Sequence, residues 1–150
     1  MEALLLLPVI NPDANKLEEA YEVARDHWAA YKGSRIRVPA AFQYDGASIP
    51  RLVWPVIGSP FQPRFMNAAV FHDWIYHTHQ IERCEADNLF HELLLESGVA
   101  AETAATMRYA VRSFGGWYWE NDEDDCAYIR RLTDRIIADG RTPAIYGLCA

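Results

Sequence analysis

The stretch that decides the fold is AAVFHDWIYHTHQIERCEADNLFHELL, which runs from Ala68 to Leu94. It places His72 and Asp73 inside one apolar run and a second isolated acid, Asp87, inside the next. Apolar residues that recur at helical spacing predict that both runs form helices with a buried face. An ionisable side chain at a buried position is costly unless it finds a partner. The pattern therefore predicts two packed helices whose polar side chains meet.

Counting outward from the connection between these helices gives their register. His72 lies about nine residues before Ile81, and Asp87 about six residues after it. If the helices pack antiparallel through the connection 79–82, the two side chains lie at comparable heights. A buried imidazole that donates to a carboxylate is held in one tautomer and is stabilised when protonated, as a general base requires. The alternative is a satisfied core histidine beside a structural carboxylate.

A second candidate site lies beside this pair. Asp73 is rotated about 100° from His72 around the helix and faces another surface. The loop 44–62 is rich in glycine and proline, and Asp45 stands at its head, where it can join Asp73. Two carboxylates and loop carbonyls form an oxygen site that suits calcium. A zinc site is disfavoured, because the spacing of the other histidines matches no zinc motif.

The composition favours one globular domain. The chain has 150 residues, of which 51% are hydrophobic, 13% aromatic and 23% charged. Such a chain is long enough and apolar enough to bury a core. Its formal net charge of −7 argues against a nucleic-acid partner, because proteins that follow a phosphate backbone need basic surfaces.

Outside the helix pair, the chain is predicted to contain a small β region followed by helices. A strand is predicted near the start, and Lys32-Gly33-Ser34 indicate a hairpin turn, although residues 21–31 also fit a helical stripe. Four helical patterns follow, at residues 63–79, 83–97, 100–118 and 122–139. We therefore predict a mostly helical α+β fold in a single domain, 1–150, with N-terminal strands and a β-hairpin at 1–43, a site loop at 44–62, a helical core at 63–140 and a tail at 141–150.

Three further features are interpreted as structural and not as functional. The opening MEALLLLPVINPD has an apolar run of about seven residues that Pro8 interrupts, with no basic segment before it, so a strand is favoured over a signal peptide or membrane span. Cys84, Cys126 and Cys149 are widely spaced and are interpreted as free thiols. The acidic run 121–125 is typical of a capped, solvated helix start, with a metal or partner site as the alternative.

Four segments then suggest a family. VPAAFQYDGASIPRLVW, AAVFHDWIY, EADNLF and YAVRSFGGW occur in this order. They resemble an uncharacterised family found in phages and prophages, whose members carry VPxGFxTDGASIPR, HDWLY, AD-x2-F and AVRxFG. The resemblance covers roughly residues 35–119 and implies a phage or prophage protein without implying an activity.

The same order of segments also resembles the bacterial and fungal branch of secreted phospholipase A2. That branch has a D-x-C-[ST]-x2-P calcium loop, followed by helices with RHDFGYRN, D-x2-F-x2-DM and YxAVxxFG. The resemblance implies a phospholipase-A2-like antiparallel helix pair that carries the His-Asp site. The matching residues here are Asp45–Pro50, His72–Tyr76, Asp87–Leu93 and Tyr109–Gly115.

The phospholipase resemblance also implies a role for each site residue. His72 would be the general base that takes a proton from water, Asp87 would orient it, and Tyr76 would hydrogen-bond Asp87. Calcium would polarise the ester carbonyl and stabilise the oxyanion. Its ligands would be Asp45, a backbone carbonyl near Gly46, and Asp73.

The chain departs from the phospholipase pattern at one structural bond. Ala47 stands where that family has its loop cysteine, and Phe71 stands at the partner position before His72. The disulfide that would tie the calcium loop to the helix is therefore missing, and packing must fix the loop.

Two functions of different classes follow from these observations. The first is a calcium-dependent, phospholipase-A2-like hydrolase that acts on phospholipid or another envelope ester. The second is a non-enzymatic phage virion, tail or assembly protein with a vestigial His-Asp site, in which the aromatic run 117–119 and the apolar C-terminus, 145–150, contact other phage structural proteins. Either would act in a host cytoplasm or a virion, with no signal peptide and no transmembrane segment.

Overall fold

The computed structural model describes residues 3–8, 21–44, 53–59, 61–120 and 122–141. The fold is mixed, and helices dominate its described part, as the sequence predicts. Two compact units are present, Met1–Asp45 and Gly46–Ala150. No helix in the described ranges is both long and apolar enough to cross a membrane. The elements are β1 (Leu6–Pro8), β2 (Tyr21–Val23), β3 (His27–Tyr31), β4 (Ser34–Val38), β5 (Gln43–Tyr44), α1 (Trp54–Ile57), α2 (Pro63–Thr78), α3 (Arg83–Glu96), α4 (Ala101–Phe114), α5 (Gly116–Trp119) and α6 (Asp122–Ala138).

The first unit contains an antiparallel sheet in the order β1-β2-β5 and a separate hairpin of β3 and β4. In the hairpin, Tyr31 pairs with Ser34, so only Lys32 and Gly33 form the turn. Both turn residues have positive φ angles, 46° and 77°, as a turn that matches the twist of a hairpin requires. The predicted hairpin is therefore confirmed, and the helical alternative for residues 21–31 is wrong.

Helix α2 is the central helix of the second unit. Pro63 occupies its first turn, where a missing backbone N–H costs nothing. Nearly every residue from Phe65 to Thr78 is buried, and α2 packs against α3, α5 and α6. Such a helix must hold any polar side chain among protein partners, because water is not available to solvate it.

Helices α2 and α3 form the pair that carries the site. A connection of four residues, 79–82, joins them. Tyr76 contacts Arg83 close to this connection, and His72 contacts Asp87 farther from it. Contacts that step backward along one helix and forward along the other define an antiparallel pair. The antiparallel packing is as predicted, while its likeness to phospholipase A2 stays a prediction.

The third predicted helix, 100–118, is wrong in its continuity. Helix α4 ends at Phe114, and the short helix α5 begins after Gly115. Two successive glycines lower the helix propensity at this point. The Arg83 side chain also donates to the carbonyl oxygen of Arg112 in the last turn of α4. The helix is therefore interrupted at a position where the sequence pattern alone predicts one continuous helix.

The interpretation of the cysteines is also corrected. Cys84 is free and exposed at the start of α3, as expected. Cys126, on α6, is disulfide-bonded, so the prediction of a free thiol is wrong for it, and Cys149 lies outside the described residues. Wide spacing in the sequence does not show which cysteines approach each other, because disulfide geometry is set by the fold.

Candidate active site

His72 and Asp87 meet between α2 and α3. The distance from His72 Nε2 to Asp87 Oδ1 is 2.8 Å, and the two side chains are 0% and 1% exposed. A carboxylate only accepts hydrogen bonds, so Nε2 carries the proton and donates it. The predicted contact is confirmed, and neutral His72 then has an unprotonated Nδ1.

Tyr76 completes the contact one turn farther along α2. Its hydroxyl donates to the same Asp87 oxygen at 2.7 Å, as predicted. Its ring also lies 4.1 Å from the His72 ring, and Phe90 lies 4.7 Å away from that ring. The imidazole is therefore oriented by one hydrogen bond and two aromatic contacts.

The surroundings set the proton state of this group. Burial lowers the pKa of His72 below its ordinary value of 6.5, outweighing the opposite effect of the Asp87 hydrogen bond. Arg83 also lowers that pKa through its charge. Burial and then the Asp87 hydrogen bond raise the pKa of Tyr76, which keeps its hydroxyl protonated as a donor. At neutral pH the site therefore holds a neutral imidazole, which is the form that accepts a proton.

Arg83 extends the network to α4, and the sequence did not indicate it. Its Nε donates to the Tyr76 hydroxyl at 3.2 Å. Its Nη2 donates to the carbonyl oxygens of Val111 at 3.1 Å and Arg112 at 2.7 Å. An arginine in the first turn of a helix is ordinarily expected to face solvent, so no local sequence pattern predicts these contacts.

Two polar atoms of the network lack a hydrogen-bond partner among the described residues. His72 Nδ1 and Asp87 Oδ2 are buried and have no hydrogen-bond partner among the described residues. The Arg112 guanidinium lies 3.9 Å from Asp87 Oδ2, beyond hydrogen-bond distance. Buried polar atoms without a partner are rare in proteins. Each of these atoms can therefore accept a hydrogen bond from a further group, such as water or substrate, that reaches it.

The predicted calcium ligands are only partly described. Asp73 follows His72 on α2 and is 6% exposed. Asp45 and Gly46 lie outside the described residues, so their meeting with Asp73 stays a prediction. The described residues contain no group of three or more acidic, histidine or cysteine side chains placed to hold a metal. The buried carboxylate of Asp73 is an oxygen donor of the kind that calcium prefers, so its chemistry fits.

A second His-Asp pair, which no sequence pattern indicates, joins α2 to α6. His77 Nδ1 donates to Asp125 Oδ1 at 2.6 Å, which joins α2 to α6. Asp125 belongs to the acidic run interpreted as a solvated helix start, yet it is buried. That interpretation is wrong for Asp125, because its carboxylate serves a contact 48 positions away along the chain.

The aromatic run on α5 is divided between surface and site. Trp117 is 72% exposed. Trp119 instead stacks on His79 at 3.8 Å and meets the edge of Tyr76 at 5.1 Å. Only part of the run is therefore available as the exposed surface that the structural-protein hypothesis requires.

Comparison with known proteins places these residues in a family. Residues 18–111 match the family described as a protein of unknown function, DUF1353. The chain belongs to this family. The matched range includes His72, Tyr76, Arg83 and Asp87, which confirms the expected membership of an uncharacterised family. The phage origin of DUF1353 and the motifs attributed to it stay predictions.

Two curated relatives come from Sinorhizobium fredii. The uncharacterized protein y4iH is 38% identical over 84 residues, which cover 55% of this chain and 35% of that protein. The uncharacterized protein y4jT is 32% identical over 83 residues, which cover 55% of this chain and 25% of that protein. The matched region thus spans about a third and a quarter of these relatives. No solved structure gives a significant match.

Proposed function

We propose that this DUF1353 protein is a hydrolase in which His72 acts as the general base on a phospholipid or another envelope ester. The observation that carries the proposal is the state of one imidazole. Its Nε2 donates to a buried carboxylate at 2.8 Å, while its Nδ1 is buried without a partner among the described residues. A neutral histidine held in this way is suited to remove a proton from water.

The reaction that this geometry supports begins at Nδ1. A water molecule gives its proton to Nδ1 as its oxygen attacks the ester carbonyl carbon. The imidazolium that forms carries protons on both nitrogens, and the Asp87 carboxylate stabilises its charge through Nε2. The proton then passes from Nδ1 to the leaving alkoxide as the ester C–O bond breaks. His72 returns to its neutral form, and acid and alcohol are released.

Calcium is the proposed cofactor. Asp73 would hold it, together with Asp45 and the Gly46 carbonyl. When bound, calcium supplies positive charge that polarises the ester carbonyl. The donor chemistry of Asp73 supports this part of the proposal.

Access to His72 requires movement. The side chain of His72 is 0% exposed, so water and substrate cannot reach Nδ1 in the conformation described. Many enzymes open and close a segment over their site during each turnover. The proposed activity therefore includes an opening step before substrate binds.

Release of fatty acid from phospholipid vesicles, with calcium and with a chelator, tests the proposal. His72→Asn removes the base and is expected to lower the rate by about 100-fold to 10,000-fold, the usual contribution of general-base catalysis. His77→Asn is the matched control, because it removes the other histidine of a His-Asp pair on α2, and its rate is expected to stay within about twofold. Equal rates for His72→Asn and the unmodified protein would contradict the proposal.

The second candidate is a non-enzymatic phage virion or assembly protein. Two observations favour it: the complete burial of His72 and the exposure of the large aromatic residues Tyr109 and Trp117. Exposed aromatic surface often contacts other proteins. Size-exclusion chromatography and analysis of purified virions test this candidate. A strictly monomeric protein that is absent from virions would contradict it.

A further inference from the structure

We propose that Arg83 is a positioning residue, which holds the Tyr76 hydroxyl in place against Asp87 and so ties the hydrogen bonds from Tyr76 through Asp87 to His72 to the end of α4. The geometric part stands on the contacts alone. Its catalytic consequence rests on the proposed function. The hydrogen bonds of Arg83 go to Tyr76, Val111 and Arg112, so it would act on His72 through Tyr76.

The direction follows from what each group can donate or accept. A guanidinium has donors and no acceptor, while a carbonyl oxygen only accepts. Arg83 Nε donates to the Tyr76 hydroxyl, and Nη2 donates to the carbonyls of Val111 and Arg112. These contacts leave Arg83 one orientation, in which the tyrosine oxygen must accept.

The hydroxyl proton of Tyr76 is then directed to Asp87. Because the tyrosine oxygen accepts from Arg83, its proton is free to be donated to Asp87 Oδ1 at 2.7 Å. The same oxygen accepts from His72 Nε2 at 2.8 Å. Two donors on one carboxylate oxygen hold that carboxylate in its rotamer. Arg83 and Asp87 together therefore hold the Tyr76 hydroxyl from both sides, and Arg83 anchors the contact to α4.

Lysine cannot replace Arg83 in this role. The three acceptors lie on two helices, and the arginine reaches them with nitrogens held in one plane. A lysine ammonium is a compact point charge without such a rigid fork. Arg83→Lys therefore keeps the charge near Asp87 but loses part of the geometry.

Gly115 leaves room for this arrangement. A Cβ atom there would clash with the backbone carbonyl oxygen of Val111 and would lie 2.9 Å from the Tyr76 hydroxyl oxygen. A Cβ atom on Gly116 would lie 3.5 Å from the nearest guanidinium nitrogen of Arg83, which is an ordinary contact. The backbone after α4 thus approaches Tyr76 closely, and a side chain at position 115 would displace Tyr76 or the last turn of α4.

The test compares two arginines near Asp87. Arg83→Ala removes the contact to Tyr76. Arg112→Ala removes a positive charge 3.9 Å from Asp87 but no hydrogen bond in the chain. Nitrogen-15 NMR of His72 at neutral pH reports its tautomer and its hydrogen bond to Asp87 without any substrate. Arg83→Ala is expected to broaden or shift the Nε2 signal of His72, with a smaller change for Arg112→Ala.

Turnover supplies the second readout. Arg83→Ala is expected to lower kcat by on the order of tenfold to hundredfold, the cost of a misplaced catalytic group, with KM changed less. Added guanidinium ion is expected to restore part of the rate, whereas the same concentration of sodium ion is not. Arg83→Lys is expected to fall between the unmodified protein and Arg83→Ala.

Each outcome supports or overturns the proposal. Equal effects of Arg83→Ala and Arg112→Ala on His72 would mean that charge alone acts, and would overturn it. Unchanged His72 signals in both Arg83 variants would overturn it as well. If Arg83→Ala does not fold, the His72 signals of Arg83→Lys decide. If His72 responds as expected while the unmodified protein hydrolyses no ester, the proposed function fails and the positioning role stands.

Discussion

Helix α2 carries two histidines, each hydrogen-bonded to a carboxylate on another helix. The two pairs differ in their burial more than in the length of their hydrogen bonds. His72 and Asp87 meet at 2.8 Å with side chains 0% and 1% exposed. His77 and Asp125 meet at 2.6 Å with side chains 29% and 8% exposed. A short His-Asp bond is therefore not sufficient to identify a site in this protein. The burial of the imidazole and the further donor on its carboxylate distinguish the first pair.

The surroundings explain why the two pairs should behave differently. Water reaches His77, whose ring also stacks on Tyr128 at 5.0 Å, and a partly exposed pair contributes little to stability. His72 has no such access, so its partners on α2 and α3 must replace water. The pair at His77 fits a bond that holds α6 against α2, and the pair at His72 fits a site.

The largest expected effect comes from removing one acid of each pair. Asp87→Ala leaves His72 Nε2 and the Tyr76 hydroxyl buried without their acceptor. Breaking a buried pair in this way costs about 3–5 kcal/mol of unfolding free energy. Asp125→Ala opens a pair whose histidine is partly solvated, and is expected to cost about 1 kcal/mol. Urea denaturation measures both values.

Equal losses of unfolding free energy for Asp87→Ala and Asp125→Ala would show that the two pairs do not differ in their contribution to stability. Asp87→Asn is a useful third variant, because it keeps the shape of the side chain and removes its charge. We expect it to retain more stability than Asp87→Ala, since its amide oxygen still accepts from Tyr76 or His72.

A smaller effect is expected at the two glycines beside the His72 pair. Gly115→Ala places a methyl group against the Val111 carbonyl oxygen and 2.9 Å from the Tyr76 hydroxyl, and is expected to destabilise the protein by about 1–3 kcal/mol through overpacking. Gly116→Ala meets only ordinary contact distances and replaces the first residue of α5. It is expected to be neutral or to stabilise by up to about 1 kcal/mol. Thermal and urea unfolding of the two variants measure the difference, and a reversed order would contradict the tight packing at position 115.

The smallest effect is a dependence of stability on pH. The pKa of His72 is lowered in the native state below the 6.5 expected when the chain unfolds. As the pH falls through about 6.5, His72 binds a proton in the unfolded state but stays neutral in the native state. The contribution of His72 to the unfolding free energy is therefore complete above this pH and is lost below it. The slope from this group is at most about 1.4 kcal/mol per pH unit.

Replacing His72 isolates that slope. His72→Gln should flatten the fall in unfolding free energy as the pH is lowered below about 6.5. Urea denaturation across this range provides the measurement. A slope unchanged by His72→Gln would show that His72 titrates as an ordinary histidine.

Local patterns were enough to predict the parts of the fold that depend on neighbouring residues. Lys32 and Gly33 form a two-residue turn, and the hairpin follows from the φ angles that such a turn requires. The short connection 79–82 limits how α2 and α3 can pack, so counting residues from it was sufficient to bring His72 to Asp87.

Contacts between distant segments could not be predicted in this way. Asp125 was assigned to the surface because its neighbours in the sequence are acidic, while its partner His77 lies on another helix. Arg83 was overlooked because its acceptors, the carbonyls of Val111 and Arg112, are backbone atoms that no side-chain pattern reveals. The close approach of Tyr76 to Gly115 likewise joins residues that lie far apart in the sequence.

The protonation state of His72 at neutral pH tests the central claim most directly. In a nitrogen-15 NMR spectrum of the unmodified protein, His72 is expected to be neutral, with its proton on Nε2 and none on Nδ1. It should remain neutral as the pH is lowered past 6.5, the ordinary value for histidine. A spectrum with a proton on Nδ1 at neutral pH, in either the neutral or the charged form, would contradict the account.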